Sequence, residues 1–253
     1  SGYLVTEIRA VKRMGQNLFY LVDAGFNNLA RPILYGAYHP LAIAPADGDV
    51  HRPSQEVVIG GPLCESGDIF TQQEGGFVCQ RELPVAGVGD YLVIGVAGAY
   101  GYVMGSNYNS KPLAAEVLIL SLKSKMHAIG PGVLAGMHKA VDLAEAGYRG
   151  IVIWSPDEPF SVGADLQAML PVFMQQGVKG IAVEVEKFQQ AMMRLKYAQV
   201  PVVGAVSGMA LGGGCETLLH CARRVANLES YIGLVEAGVG LIPAGGGLKE
   251  GAL

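Results

Sequence analysis

Hydrophobic positions in the first half of the chain occur in short runs that alternate with turn-forming residues. Val, Ile, Leu, Tyr and Phe dominate these runs, and segments such as Pro45-Ala46-Asp47-Gly48 separate them. Runs of this kind predict β-strands. The predicted strands cover residues 4–10, 19–22, 41–44, 56–59, 91–96 and 115–120. Their spacing favours a compact β-barrel or a β-sandwich, with one helical turn around residues 28–35.

The second half shows a different pattern, in which helical faces alternate with short apolar runs. Two helices are predicted from residues that recur on one face: Val133, Met137, Val141 and Ala144, and then Val185, Phe188, Met192 and Leu195. Apolar runs at 151–154 and 202–206 predict buried strands, so this half is expected to be α/β. Residues 115–125 lack linker composition, so the joint between domains at 1–120 and 121–253 is expected to be tight or not to be a natural joint.

Length, composition and charge limit the classes of protein to which this chain can belong. A length of 253 residues fits one large domain or two smaller ones, and 51% hydrophobic residues with 16% charged residues indicate a globular chain. The net charge of -4 and the scattered lysines and arginines predict no nucleic-acid partner. Four cysteines without a CxxC pair, and no apolar leader, favour the cytoplasm. The uncharged run 197–215 contains Pro201 and five glycines, so we interpret it as a buried strand and turn, not a membrane span.

Two backbone N–H groups are candidate oxyanion donors. Ala164 follows a predicted strand and opens a helix, where N–H groups lack partners within the helix. Gly213 has the same context, in the triplet between the strand at 202–206 and the next helix. If both N–H groups point at one oxygen, they stabilise the enolate that forms from a carbonyl group.

Two carboxylates lie close to these segments in sequence. Glu216 follows the glycine triplet, and Glu236 lies within an apolar run. A carboxylate in an apolar pocket has a raised pKa and is suited to general acid or base catalysis near neutral pH. Together they could position and deprotonate one water molecule.

These motifs resemble the crotonase family of enoyl-CoA hydratases and isomerases, above all the hydratase part of bifunctional 3-hydroxyacyl-CoA dehydrogenases. Residues 160–166 and 200–216 resemble the two oxyanion-hole segments of the family. The resemblance implies that Ala164 and Gly213 donate the two N–H groups, and that Glu216 and Glu236 add water to a 2-enoyl-CoA. It implies no cofactor, because the CoA thioester is the substrate. The expected fold is a ββα spiral, incomplete at both ends.

Residues 1–119 resemble the C-terminal β-domain of diaminopimelate decarboxylase, a pyridoxal-phosphate enzyme of lysine biosynthesis. The resemblance is carried by the segments 21–27, 31–36, 61–68, 98–101 and 106–110, among them Gly61-Pro62-Leu63-Cys64-Glu65-Ser66-Gly67-Asp68. It implies a pyridoxal-phosphate cofactor, whose lysine belongs to a barrel that should precede residue 1.

The same resemblance implies roles for five side chains. Arg31 and Tyr35 would bind a substrate carboxylate, Cys64 and Glu65 would reach the site of a partner subunit, and Tyr100 would lie against the cofactor. A guanidinium group suits a carboxylate because it donates two parallel hydrogen bonds. Cys64 has an alternative interpretation as a small buried hydrophobic residue.

Three functions remain open from the sequence. The first is a lyase of the enoyl-CoA hydratase type, acting on acyl-CoA in fatty acid β-oxidation. The second is a diaminopimelate decarboxylase domain that needs a barrel from elsewhere. The third is a composite of two fragments without turnover. We expect a homo-oligomer, and the five histidines have no spacing that indicates a metal site.

Overall fold

The computed structural model describes residues 2–252, except for the side chain of Val239. The chain folds into two compact units, with the division between Ala114 and Ala115. Each unit has its own core of buried hydrophobic side chains. In the described part of the chain, no helix has both the length and the apolar character that crossing a membrane requires.

The first unit is built on one six-stranded sheet. Its elements are β1 (Leu4–Met14), β2 (Asn17–Val22), α1 (Arg31–Tyr35), β3 (Leu41–Ala44), β4 (Ser54–Gly60), β5 (Arg81–Pro84) and β6 (Tyr91–Ile94). The strand order is β3-β6-β1-β2-β4-β5, and all neighbours are antiparallel except β2 and β4. The edge strands β3 and β5 lie within 8 Å of each other, so the sheet is nearly closed. Of the barrel and the sandwich predicted from sequence, the barrel-like form is confirmed.

A buried tyrosine shows how this barrel-like sheet satisfies its interior. Tyr20 has no exposed surface, yet its hydroxyl group accepts hydrogen bonds from Ala86 N (2.9 Å) and Gln55 Nε2 (2.6 Å). The same hydroxyl donates to the carbonyl oxygen of Pro84 at 3.2 Å. A polar group inside a core is tolerated because its hydrogen bonds are made there.

Two strand predictions differ from the structure. Strand β5 is not predicted from the sequence, because two of its four residues, Arg81 and Glu82, are charged and only Leu83 is buried. The run 115–120 is predicted to belong to the β-rich half, but β7 (Leu118–Leu120) pairs in parallel with β8 (Ile151–Ile153) of the second unit. A three-residue apolar run fits either kind of sheet, and only its pairing partner distinguishes them.

The second unit alternates strands and helices. After β7 come α2 (Pro131–Gly147), β8, α3 (Leu166–Lys196), β9 (Val202–Val206), β10 (Met209–Leu211), α4 (Gly213–Leu219), β11 (Arg223–Ala226), β12 (Tyr231–Gly233) and α5 (Gly247–Glu250). A parallel sheet has the order β11-β9-β8-β7, and β10 pairs in parallel with β12. Helix α3 is much longer than predicted, and Gly177 breaks its helical geometry. The predicted crotonase-like α/β architecture is confirmed.

The packing of this unit brings the segments named by the sequence to one place. Helices α2 and α3 pack against each other and bury Met137, Val141, Met192 and Leu195 with Leu218 of α4. Residues 161–163, which precede α3, lie between β10 and the backbone at Ile129. Ser161 N bonds to Met209 O of β10, and Ile129 N bonds to Gly163 O. The N-termini of α3 and α4 are thereby brought together.

Replacing Gly36 with alanine is expected to destabilise the first unit strongly. Gly36 ends α1 with φ of 59°, and a Cβ there would overlap the backbone of Gln73 and Glu74. Gly15 has the same φ of 59° but nothing within 4 Å of a built Cβ, so Gly15→Ala isolates the cost of the backbone conformation.

For Gly15→Ala we expect a loss of about 1–2 kcal/mol, and for Gly36→Ala a loss above about 4 kcal/mol, since backbone must move. Chemical denaturation followed by circular dichroism gives both values. Equal losses in the two variants would contradict the overlap argument.

Candidate active site

Two backbone segments of the second unit approach closely at the start of helices α3 and α4. A Cβ built on Gly213 would lie 3.3 Å from Ala164 N, and one built on Gly163 would lie 3.0 Å from Gly213 N. On the other side, the same Gly213 Cβ would be 2.7 Å from the ring of Phe188. This close approach requires glycine at position 213.

The N–H groups of Ala164 and Gly213 are available to a bound molecule. Within residues 2–252, neither group donates a hydrogen bond to the protein. The neighbouring N–H groups are used, since Asp165 N bonds to Ile129 O and Gly163 N bonds to Ser161 Oγ. Gly213 is the first residue of α4, and unpaired donors at helix N-termini bind negatively charged oxygen well. Ala164 does not open α3 as predicted, because it precedes the N-cap residue Asp165.

Glu216 is the fourth residue of α4, two positions after the glycine triplet, and only 3% of its surface is exposed. Its Oε1 accepts hydrogen bonds from the N–H groups of Gly245 (2.8 Å) and Gly247 (2.9 Å). Burial raises the pKa of its carboxyl group above the ordinary value. The N–H groups oppose this shift, whereas the charge of Glu236 adds to it.

Glu236 begins a short 3₁₀ turn after β12 and is half-buried. Its Oε2 is buried and, in the described part of the chain, has no hydrogen-bond partner. Its Oε1 lies against Gly212, where a built Cβ would be 3.0 Å away. An unpartnered buried carboxylate oxygen is costly, and a bound water or hydroxyl group would satisfy it.

Both carboxylates and both free N–H groups belong to one cavity of about 410 Å³. Ala164, Gly213, Glu216 and Glu236, predicted separately from sequence, all line it. The remaining wall is mainly apolar: Ile129, Leu134, Val162, Met169, Val172, Ile181, Val185, Phe188, Leu241 and Ile242. A concave apolar site with a few convergent polar groups is typical of a small-molecule site.

The structure adds partners that sequence analysis misses. Gly245 and Gly247 hold the Glu216 carboxylate, and Phe188 packs against the backbone of Gly213 and Gly245. The run Gly245-Gly246-Gly247 at the start of α5, called the glycine segment below, is the only local signal for the first two. For Phe188, its position on the apolar face of a helix predicts burial but no contact with the site.

In the first unit, the predicted site residues are largely exposed. Arg31 and Tyr35 both lie on α1, and Tyr35 is 60% exposed. The Arg31 guanidinium lies 5.3 Å from the ring centroid of Tyr100, which brings these two together in a cation–π contact.

Cys64 and Glu65 lie in a loop of the first unit. Cys64 is exposed, so its interpretation as a buried hydrophobic residue is wrong: it lies in a surface bend, not in the core. The Cys64 N–H donates to Asn109 Oδ1 at 2.9 Å, and Glu65 Oε1 accepts weakly from Ser66 and Gly67.

Asp68 organises this loop and is not predicted from sequence to do so. Its carboxylate is buried and accepts hydrogen bonds from the N–H groups of Phe26 (2.7 Å) and Leu63 (2.8 Å). Burial raises its pKa above the ordinary value, although these N–H groups oppose the shift. Asp68 therefore ties two of the recognised motifs to each other.

The lysines of the first unit do not fit a pyridoxal-phosphate site. Only Lys12 and Lys111 occur among its residues. Lys111 donates to the carbonyl oxygen of Asp23, and Lys12 pairs with Phe19 in the β1–β2 hairpin. Among the described residues, no group of three or more His, Cys, Asp or Glu side chains could hold a metal ion.

Comparison with known proteins divides the chain in the same way. A family model described as "Pyridoxal-dependent decarboxylase, C-terminal sheet domain" matches residues 1–98, and one described as "Enoyl-CoA hydratase/isomerase" matches residues 114–250. Both resemblances predicted from the motifs are confirmed by these matches.

Individual relatives match one half each. Diaminopimelate decarboxylase from Escherichia coli K12 is 58% identical over 120 residues, which is 47% of this chain and 29% of that protein. A probable 3-hydroxyacyl-CoA dehydrogenase from Bacillus subtilis is 43% identical over 138 residues, 54% of this chain and 18% of that protein. The chain thus spans less than a third of the length of each.

A solved structure also matches the second half. The crystal structure of an enoyl-CoA hydratase from Polaromonas sp. JS666 aligns with a TM-score of 0.51 and 28% identity, covering 55% of each chain. The overlap agrees with the α/β unit described above.

Proposed function

The chain belongs, through residues 114–250, to the enoyl-CoA hydratase/isomerase family, and from this premise we propose that its second unit adds water to a 2-enoyl-CoA. The observation that carries the proposal is the cavity that joins two unpaired N–H groups to two carboxylates. Two such N–H donors can bind the carbonyl oxygen of a thioester and stabilise the negative charge that develops on it. The corresponding setting is a hydration step of fatty acid β-oxidation.

The reaction follows from the polar groups of the cavity. The thioester oxygen accepts hydrogen bonds from Ala164 N–H and Gly213 N–H, and these strengthen as the oxygen gains enolate charge. Glu216 and Glu236 hold one water molecule, whose oxygen forms a bond to C3 of the enoyl group. One carboxylate takes a proton from the water while the C2=C3 π electrons move into the thioester enolate. The protonated carboxyl group of the other glutamate gives its proton to C2, so that one H₂O is added and the thioester is restored.

The buried state of Glu216 supports its part in this proton transfer. Burial raises the pKa of this carboxyl group, so that its pKa is closer to neutral pH than the pKa of an exposed glutamate. The N–H groups of Gly245 and Gly247 occupy Oε1 and fix the direction in which Oε2 points. The side chain is therefore already oriented for proton transfer before the substrate binds.

The test is the loss of enoyl-thioester absorbance when the chain is mixed with a short 2-enoyl-CoA. We expect turnover, and the matched control is Glu216→Gln. A rate no higher than that of the control would refute the proposal. Repeating the reaction in H₂¹⁸O separates hydration from isomerisation, because only hydration places ¹⁸O in the product.

For the first unit we propose a role only in combination with a pyridoxal-phosphate-carrying barrel from another chain. Its own lysines do not fit the cofactor. Half-buried Arg31 and exposed Tyr35 would bind a substrate carboxylate, exposed Cys64 and Glu65 would reach a partner subunit, and exposed Tyr100 would lie against the cofactor. The test is CO₂ release from diaminopimelate with that barrel supplied in trans. Release that is unaffected by Arg31→Ala and Cys64→Ala would count against these roles.

A further inference from the structure

His220 is a buried histidine beside Glu216 that the proposed reaction leaves unused. It follows α4 directly, and 3% of its surface is exposed. Its Nδ1 lies 2.7 Å from the backbone carbonyl oxygen of Glu216. Because a carbonyl oxygen only accepts hydrogen bonds, Nδ1 must carry a proton. The ring is therefore fixed to the helix that carries the proposed catalytic carboxylate.

Another edge of the same ring packs against Gly246. A Cβ built on Gly246 would lie 2.9 Å from His220 Cε1 and 3.0 Å from Nε2, so little space separates the ring from this backbone. The residues on either side, Gly245 and Gly247, are the two that donate their N–H groups to Glu216 Oε1. His220 thus contacts the backbone of Glu216 and the middle of the segment that holds its side chain.

An ion pair fixes the following helix. Glu250 ends α5, its side chain is 7% exposed, and its two oxygens lie 2.7 and 2.6 Å from Lys196 Nζ. Lys196 is the last residue of α3, so the pair joins α5 to that helix. The glycine segment is therefore held at its C-terminal side by an ion pair and at Gly246 by the imidazole.

We propose that His220 is a positioning residue for the hydration reaction. Its ring holds Gly246 so that the N–H groups of Gly245 and Gly247 keep Glu216 Oε1 in place and leave Oε2 for the reacting water. The inference rests on the proposed function, because it assigns His220 a purpose in the same site. Without the ring, the glycine segment can move away and the carboxylate loses its fixed direction.

The test uses His220→Asn, which keeps a side-chain N–H near the place of Nδ1 but removes the ring edge facing Gly246. Hydrogen exchange measured by NMR is expected to become at least about tenfold faster at the amides of Gly245 and Gly247, relative to those of α4. The kcat for 2-enoyl-CoA is expected to fall about tenfold to a hundredfold, with KM changed less than about twofold. His220→Gln, whose amide reaches further toward Gly246, is expected to keep slow exchange and recover part of kcat.

The matched control is His39→Asn in the first unit. His39 is 4% exposed, close to the 3% of His220, and its Nδ1 also lies within hydrogen-bond distance of a backbone carbonyl oxygen, that of Gly95 at 3.0 Å. We expect no change in exchange at Gly245 and Gly247, or in kcat.

The measurements separate failure of this inference from failure of the proposed function. Unchanged exchange in His220→Asn overturns the inference whatever the activity, and faster exchange with unchanged kcat overturns the positioning role. If the unsubstituted chain has no turnover but the variant exchanges faster, the proposed function fails and the contact with the glycine segment is supported.

Discussion

Replacing Glu216 with glutamine is expected to lower kcat for hydration of a 2-enoyl-CoA by about 10²- to 10⁴-fold, the usual contribution of a general acid or base. The amide is nearly isosteric and keeps a carbonyl oxygen that can accept from Gly245 and Gly247. It cannot exchange a proton with water at neutral pH. Since the oxyanion donors remain, KM is expected to change little. Steady-state kinetics at saturating substrate measure the effect.

The same substitution is expected to stabilise the second unit. Because burial raises the pKa of Glu216 in the folded chain, the folded state binds more protons than the unfolded state at pH values between the ordinary pKa of a glutamate and this raised pKa. Its stability contribution therefore falls as pH rises through that range. Glutamine carries no charge, so Glu216→Gln should unfold at a higher denaturant concentration at pH 8 than the unsubstituted chain. Fluorescence of Trp154, the single tryptophan, reports this transition.

Glu145→Gln is the matched control, because Glu145 has the opposite shift. Hydrogen bonds from Arg194 and from Gln199 N–H lower its pKa to about 2, so its contribution to stability is present above the ordinary pKa and is lost as pH falls through about 2. At pH 8 this variant should unfold more easily and keep its kcat. A Glu216→Gln variant that loses both stability and activity would indicate a purely structural carboxylate.

Strands and helices are predictable where the apolar pattern is clear. The strand at 202–206 is found because it is a short, continuous apolar run, and the helix face at Met137 and Val141 because its apolar residues recur at helical spacing. The first part of α3 is not found, since Leu170, Phe173 and Met174 are all more than half exposed and show no single buried face. Pro171 within it also argues against a helix.

In the candidate site, local motifs are predictable from the sequence, whereas contacts between distant residues are not. Gly213 and Glu216 belong to one local motif, and the context of a strand followed by a helix predicts what their backbone and side chain can do. The partners of the Glu216 carboxylate are 29 and 31 residues away in sequence, and no periodicity connects them. Distant contacts of this kind depend on how the chain folds back, so the role of the glycine segment is visible only in the structure.

Replacing Gly213 with alanine is expected to impair the oxyanion hole and the packing around it together. The new methyl group would lie 3.3 Å from Ala164 N and 2.7 Å from the Phe188 ring, which is itself buried. It therefore crowds the space between the two N–H groups, where the thioester oxygen has to bind. We expect kcat/KM for 2-enoyl-CoA to fall by about 10²- to 10³-fold, the typical cost of losing an oxyanion donor.

Gly136→Ala in α2 is the control for this last prediction. Gly136 is also a helical glycine, but nothing lies within 4 Å of a Cβ built on it. Alanine there should raise the free energy of unfolding by about 0.5–1 kcal/mol through helix propensity and leave kcat/KM unchanged. Gly213→Ala should instead lower the free energy of unfolding, since the ring of Phe188 must shift. If both variants gained stability and kept their activity, the close approach of the two N–H groups would have no part in catalysis.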